Sequence, residues 1–381
     1  MKKIAFSIIF LLLVNCMCFP QTVKTIQHGG LTRDYIEYVP SIYNGSEPVP
    51  ILICLHGLGD NMSNFTSIGM HDVADTANFI VITPQALMAT VYTYQVGTAW
   101  NSGVSYSGIV LNQNIDDMGF IRALIDTTMI LYHIDTNRIY VTGFSMGGFM
   151  CNRLACEMND VFAAIASVSG TLGNTIVCNP PAPIPVCHFH GTADGTVSYT
   201  GNQYGNDAEV LVEYWRNYNN CDSIPVIDSM PDIVSDGLQF VKFTYANGDD
   251  NSEVLFYKVL NGDHNWYYYP NNDITYTIEI WNFLKKFSKN SLSSIVELKK
   301  SSINIFPNPA NGFVNIELPE SFKNSTVTIY SITGENIVSL IPENQKISIS
   351  LENFDPGIYF LHYQNQNVSI TDKIVIISNN Y

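Results

Sequence analysis

From Arg33 to about Ser288, short apolar runs alternate with stretches that place apolar side chains at helical spacing. Residues 49–55 (VPILICL) are continuously apolar and lead into His56-Gly57. A strand of that length with no polar face is buried on both sides, as the strands of parallel sheets are. The same pattern predicts buried strands at 79–83, 138–142, 163–168 and 186–189. Within 114–134, Ile115, Met118, Ile121, Leu124, Ile125 and Met129 fall on one helical face. Further helices are expected at 146–157 and 274–287. Apolar strands separated by helices predict an α/β fold, with a mainly parallel sheet covered on both faces.

After Phe287 the pattern changes. Residues 289–302 are rich in Ser and Lys and read as a linker. From Ile303 onward the runs are short and alternating, with strands expected at 314–318, 327–330, 347–351, 358–362 and 374–377. Turn signals separate them, such as Thr333-Gly334-Glu335 and Asp355-Pro356-Gly357. This is a small all-β domain of sandwich type over 303–381, and it carries no visible catalytic constellation. The other end of the chain also stands apart. Lys2 and Lys3 precede an apolar run, 4–14, too short to span a bilayer, and polar sequence begins at Gln21. Residues 1–20 therefore read as a signal peptide, and Cys16 lies in a poor context for lipidation. That leaves 21–288 as the large α/β domain.

Composition narrows the class. The chain of 381 residues is 46% hydrophobic and 14% charged, which excludes a largely disordered protein. Its net charge of −16 repels nucleic acid and anionic membranes. No later segment has the length and apolarity of a membrane helix, so the expectation is an exported, soluble protein with no nucleic-acid partner. Of eight cysteines, Cys16 and Cys18 lie in the signal, and the other six allow fifteen full pairings. Cys54 and Cys187 fall in apolar strand runs and read as buried thiols. No Cys-x-x-Cys pair or His/Cys cluster suggests zinc, and the chemistry below calls for no metal or cofactor.

The sharpest chemical signal is Gly143-Phe144-Ser145-Met146-Gly147-Gly148, between an expected strand and an expected helix. That context is the nucleophile elbow. A serine on so tight a turn has a strained backbone, and small neighbours such as Gly143 and Gly147 relieve the crowding. The turn lifts Oγ to a helix N-terminus, where backbone N–H groups favour developing negative charge. Serine then needs a base, and the base an orienting carboxylate, in the chain order Ser, Asp, His. His188 and His190 lie on an apolar strand and read as core. His264, in Asn261-Gly262-Asp263-His264-Asn265-Trp266, follows a strand and is the expected base. Asp194 is the expected acid. Asp263 is its rival but adjoins the histidine, and Asp207 reads as a helix cap. The oxyanion hole is expected from the N–H groups of Met146, directly after the serine, and of Leu58, in the loop His56-Gly57-Leu58-Gly59-Asp60. Trp100, Trp266 and Tyr267 are candidates for an aromatic substrate wall, with core packing as the alternative.

These residues resemble the secreted polyhydroxybutyrate depolymerase and feruloyl esterase group of the α/β-hydrolase superfamily. The likeness runs from about Arg33 to Trp266 and rests on LHGLGDN (55–61), AWNSG (99–103), DDMGF (116–120), RIYVTGFSMGGFM (138–150), FAAIASVSG (162–170), HFHGTADGTVSY (188–199) and GDHNW (262–266). Carried over by position, it implies a triad of Ser145, Asp194 and His264, and a disulfide between Cys156 and Cys178. Many relatives have Asn where Met146 stands, and Trp-Pro where Trp266 is followed by Tyr267, which bears on substrate identity. The implied substrates are feruloyl or acetyl esters on plant polysaccharide, or short polyester. The tail, with IFPNPA (305–310) and FDPGIYFLHY (354–363), resembles the type A C-terminal sorting domain of the type IX secretion system. That implies a Bacteroidetes-type origin, export by Sec, then passage across the outer membrane by the type IX machinery to the medium or cell surface. Two competing readings are a peptidase of the same fold, whose usual large extra domain is missing, and a catalytically dead surface-binding protein, against which the complete triad argues.

Overall fold

The computed structural model describes residues 22–289, 303–318, 325–331, 336–364 and 369–377. The expected signal peptide, all of the linker but Lys289, and the turn at 333–335 lie outside them. The chain divides into two compact units, between residues 294 and 295.

The first unit runs β1 (Thr22–His28), β2 (Leu31–Tyr38), β3 (Val49–Leu55), α1 (Met62–Phe65), α2 (Met70–Ala77), β4 (Ile80–Pro84), β5 (Leu87–Val91), β6 (Tyr94–Ala99), β7 (Ser105–Tyr106), β8 (Ile109–Val110), α3 (Asp117–Leu131), β9 (Ile134–Phe144), α4 (Met146–Glu157), β10 (Ala164–Val168), β11 (Val186–Gly191), α5 (Ala208–Tyr218), β12 (Val226–Ser229), β13 (Gln239–Tyr245), β14 (Val254–Leu260) and α6 (Tyr276–Leu284). One sheet takes the order β1-β2-β4-β3-β9-β10-β11-β14-β13-β12. Its centre, from β4 to β14, is parallel throughout. Both edges are antiparallel, through β1–β2–β4 on one side and β14–β13–β12 on the other.

The apolar strands are buried on both faces because each face has its own core. Along β3, Ile51, Ile53 and Leu55 join the cluster that includes Phe120 and Leu124 of α3, Phe149 and Leu154 of α4, and Trp215 of α5. The alternate residues Leu52 and Cys54 join the opposite cluster, with Met70 and Ala74 of α2 and Tyr276, Ile280 and Trp281 of α6. The period-two direction of strand side chains, applied to a run with no polar member, requires this double covering. Asp207 caps α5, accepting from the N–H groups of Glu209 (2.7 Å) and Val210 (3.2 Å), as its position suggested. Cys156, at the end of α4, is disulfide-bonded to Cys178, while Cys54, Cys151 and Cys187 are buried free thiols.

The second unit is all β: β15 (Asn304–Asn311), β16 (Phe313–Glu317), β17 (Thr326–Ser331), β18 (Asn336–Leu340), β19 (Lys346–Ser350), β20 (Gly357–Gln364) and β21 (Ser369–Ile376). The strands follow the order β18-β17-β20-β21-β15-β16-β19, with β15 and β21 paired in parallel at Ala310 and Ile376 and joined by Asn308 Oδ1, which accepts from Val375 N–H (2.8 Å). Val314, Ile316, Val327, Ile329, Leu361, Tyr363 and Ile374 form its core. β15 and β18 were not expected from the pattern. β15 carries two prolines, and neither strand alternates cleanly, so periodicity does not reveal them.

Candidate active site

Ser145 stands between β9 and α4 with φ 55° and ψ −119°. A residue with a Cβ pays of order 1–3 kcal/mol for such a backbone, and only surrounding structure can hold it there. The holding groups are identifiable. Ser145 N–H donates to Val168 O of β10 (2.8 Å), and Ser145 O accepts from Phe149 N–H (3.0 Å). A Cβ on Gly147 would lie 2.0 Å from Leu55 O, and one on Gly143 would lie 2.5 Å from the carbonyl carbon of Gly147. Both glycines are therefore required by close backbone approach. So is Gly170, which the motif does not contain: its Cβ would lie 2.3 Å from Ser145 O.

His264 follows β14 in a loop and opens into the same cavity as Ser145. Its Nδ1 lies 2.8 Å from Asp194 Oδ2. A carboxylate can only accept, so Nδ1 carries the proton and Nε2 is left without one. The ring packs against Phe144, with centroids 4.8 Å apart. Asp194 comes from the loop after β11, and its side chain is fully buried. Its Oδ1 accepts from the N–H groups of Thr196 (2.9 Å) and Val197 (2.8 Å). Burial opposes ionisation of this carboxyl, but the His264 bond, the charge of His264 and the Val197 N–H outweigh it and hold Asp194 below the usual carboxylate range. The rival Asp263 turns away: its Oδ1 accepts from Tyr267 O–H (2.6 Å), and its backbone N–H donates to the Tyr267 hydroxyl oxygen (2.8 Å).

The loop expected to supply the oxyanion donors passes directly over the serine. A Cβ on Gly57 would lie 3.4 Å from Ser145 Cβ. His56 fixes the base of this loop. Its Nδ1–H donates to Gly57 O (2.8 Å), and its Nε2 accepts from Ala86 N–H (3.1 Å). The tip is tied by Gly59 N–H to Thr98 O of β6 (2.9 Å). Leu58 and Met146 both line the cavity beside Ser145. Met146 is the first residue of α4, so its N–H has no intrahelical acceptor.

The cavity measures about 330 Å³, and its wall is mostly apolar, with Val104, Leu111, Met146, Phe149, Val197 and Tyr204 among its members. Trp100, Trp266 and Tyr267 are not brought to it, which corrects the expected aromatic wall. Trp100 is fully buried and donates its indole N–H to His56 O (2.9 Å), so it braces the loop that begins at His56. Tyr267 is buried against Phe240 and Tyr276. Trp266 packs on Phe65 and faces a separate depression with Tyr268 and Thr275. Of the wall residues, Met146 and Phe149 lie on α4 just after the serine and Val197 follows Asp194, whereas Val104, Leu111 and Tyr204 come from loops far apart in the chain and carry no sequence signal. Among the described residues no group of three His, Cys, Asp or Glu side chains is arranged to hold a metal ion.

Residues 304–377 match the model of the secretion system C-terminal sorting domain, so the second unit is a sorting domain of the type IX system. The feruloyl esterase B of Piromyces equi is 33% identical over 175 residues, 44% of this chain but only 30% of that enzyme. The poly(3-hydroxyalkanoate) depolymerase C of Paucimonas lemoignei is 25% identical over 246 residues, 56% of this chain and 54% of the depolymerase. The chain thus spans well under two thirds of either relative. A thermostable esterase of known structure aligns with a TM-score of 0.47 at 17% identity, over 70% of this chain and 63% of that one. Residues 39–246, more than half of the chain and the stretch that contains Ser145 and Asp194, match the phospholipase/carboxylesterase model, and the chain belongs to that family of α/β-hydrolases.

Proposed function

We propose that the first unit is a serine carboxylic-ester hydrolase working through an acyl-enzyme on Ser145. The observation that carries this reading is a serine on a strained strand-to-helix turn that shares an apolar cavity with His264, whose far nitrogen is bonded to a buried, ionised Asp194. In the forward step His264 Nε2 takes the Ser145 hydroxyl proton while Oγ adds to the ester carbonyl. The Leu58 and Met146 N–H groups receive the oxyanion, each such donor contributing about 3–4 kcal/mol in the transition state. The imidazolium then protonates the leaving alkoxide, and the neutral ring activates water to release the acid. Asp194 holds the tautomer and stabilises the imidazolium throughout.

The apolar cavity favours an uncharged acyl group of aromatic or short aliphatic type. The names of two relatives, a feruloyl esterase and a poly(3-hydroxyalkanoate) depolymerase, support a feruloyl ester or a polyester as substrate. The C-terminal sorting domain supports a working place outside the cell or on its surface, reached by the type IX machinery after removal of residues 1–20. A panel of methyl ferulate, aryl acetate and 3-hydroxybutyrate oligomers, assayed with wild type and Ser145→Ala, tests the reading. Turnover of at least one ester is expected, with loss of several orders of magnitude in the variant. A folded Ser145→Ala protein with near-normal turnover would overturn it. Failure of the wild type to react with a fluorophosphonate would favour a dead binding protein.

A further inference from the structure

We propose that His190 is a positioning residue for Asp194, held in a single neutral tautomer by a buried hydrogen-bond relay from Ser167 through His188. The proposal rests on the assignment of Asp194 and His264 made above, and it gives a role to two histidines that the reaction itself does not use.

His188 and His190 are two apart on β11 and so share a face of the sheet. Both are fully buried. Ser167, on the adjacent β10, is in register with His188. Ser167 Oγ lies 2.7 Å from His188 Nδ1, and His188 Nε2 lies 3.1 Å from His190 Nδ1. His190 Nε2 lies 2.8 Å from Val197 O.

The direction of this chain follows from its last member. A carbonyl oxygen only accepts, so His190 Nε2 carries a proton. A neutral His190 then has a bare Nδ1, which must accept from His188 Nε2–H. That leaves His188 Nδ1 bare, to accept the Ser167 hydroxyl proton. Every ring nitrogen is satisfied with both rings uncharged. Running the chain the other way would require an imidazolium at His190, inside the core. The titratable and charged groups around His190 are His188, Asp194, His264 and Asp207, with the Tyr199 ring packed edge-on. Burial pulls His190 below its ordinary value, and the Val197 carbonyl and Asp194 oppose that only in part. Burial and the neighbouring ring also hold His188 well below its ordinary value.

The consequence falls on Asp194. The Val197 residue is gripped at both of its backbone polar groups, its carbonyl by His190 and its N–H by Asp194 Oδ1. With Thr196 N–H on the same oxygen, the carboxylate plane is set and Oδ2 is aimed at His264 Nδ1. His190 Nε2 also stands 3.6 Å from Oδ2. That is too long for a hydrogen bond, so the ring orients the carboxylate's loop without competing for its proton acceptor. Being neutral, His190 leaves the full negative charge of Asp194 for the imidazolium that forms on His264.

The test compares His190→Leu, which keeps bulk but no donor, with His190→Gln, whose amide nitrogen can still donate to Val197 O. Turnover of p-nitrophenyl butyrate is measured per active site titrated with a fluorophosphonate, so that loss of folded protein does not count as loss of rate. His190→Leu is expected to lower kcat by about 10²-fold with little change in KM, the scale of a misplaced catalytic group. His190→Gln is expected to recover most of that loss. Full kcat per titrated site in His190→Leu would overturn the proposal. Should that variant fail to fold, 15N NMR of the wild-type imidazoles decides it: Nε2–H on both His188 and His190 at neutral pH supports the relay, and an Nδ1–H or doubly protonated His190 overturns it. Asp194→Asn serves as the control. Undiminished activity there would mean that the assignment of the acid had failed, a different result from failure of the relay.

Discussion

Replacing Asp194 by Asn removes one charge and exchanges one oxygen for an N–H donor, in a carboxylate whose two oxygens have different partners. Oδ1 is needed as an acceptor by the N–H groups of Thr196 and Val197. An asparagine therefore turns its oxygen to those donors and its amide nitrogen to His264. Two N–H groups would then meet across the 2.8 Å now spanned by one hydrogen bond. His264 relieves the clash by moving its proton to Nε2, the nitrogen that takes the Ser145 proton in the proposed reaction. The expected loss in kcat is roughly 10⁴-fold, the scale of a wrongly set tautomer. That corresponds to about 5 kcal/mol of transition-state stabilisation. Asp263→Asn keeps an acceptor for the Tyr267 hydroxyl, so its loss should stay within about threefold, as for a group outside the transition state. The assay is kcat and KM on a p-nitrophenyl ester, with active-site titration and thermal unfolding to establish folding. A folded Asp194→Asn enzyme of near-normal rate, or a larger loss in Asp263→Asn, would refute the reasoning.

Three further outcomes are expected. Gly170→Ala should destabilise the first unit by about 3 kcal/mol, the upper range for overpacking, and depress kcat, because its Cβ would sit 2.3 Å from Ser145 O and 2.5 Å from Phe149 N; urea unfolding and turnover both equal to wild type would contradict this. Replacing Cys156 and Cys178 by serine should lower stability by about 3 kcal/mol, since the bridge closes a loop with a sequence separation of 22; an unchanged urea midpoint would show that the unfolded chain gains nothing from release. Deleting 303–381 should leave hydrolysis intact while blocking release from the native cell, and a truncated protein that folds but is inactive would show that the tail contributes to the site.

Local chemistry explains what could be read without a structure. The strand-to-helix turn at Ser145 is a property of a few adjacent residues, and the helix expected at 146–157 coincides with α4. The central strands were legible because a run such as VPILICL has no polar face to offer water. The antiparallel edges were less so. β12, at one edge, is exposed along its whole length, and the separate two-stranded hairpin β5–β6 is only partly buried, so neither carries a continuous apolar run.

The sequence by itself determined the fold class, the two-unit organisation as an expectation, and the order in which serine, aspartate and histidine occur. Only the tertiary structure decided which aromatic residues meet the substrate space. Trp100 was a candidate for the aromatic wall with core packing as the alternative, and its indole N–H finds a buried acceptor at His56 O, as a buried donor must. The cavity wall draws Val104, Leu111, Phe149, Val197 and Tyr204 from separate segments. Strand order sets their proximity, and side-chain periodicity carries no information about strand order. The same holds for His188 and His190. Their spacing states only that they share a face of β11. That the face meets Ser167 on one side and the Asp194 loop on the other depends on which strand lies next to β11 and on how the chain turns after Gly191.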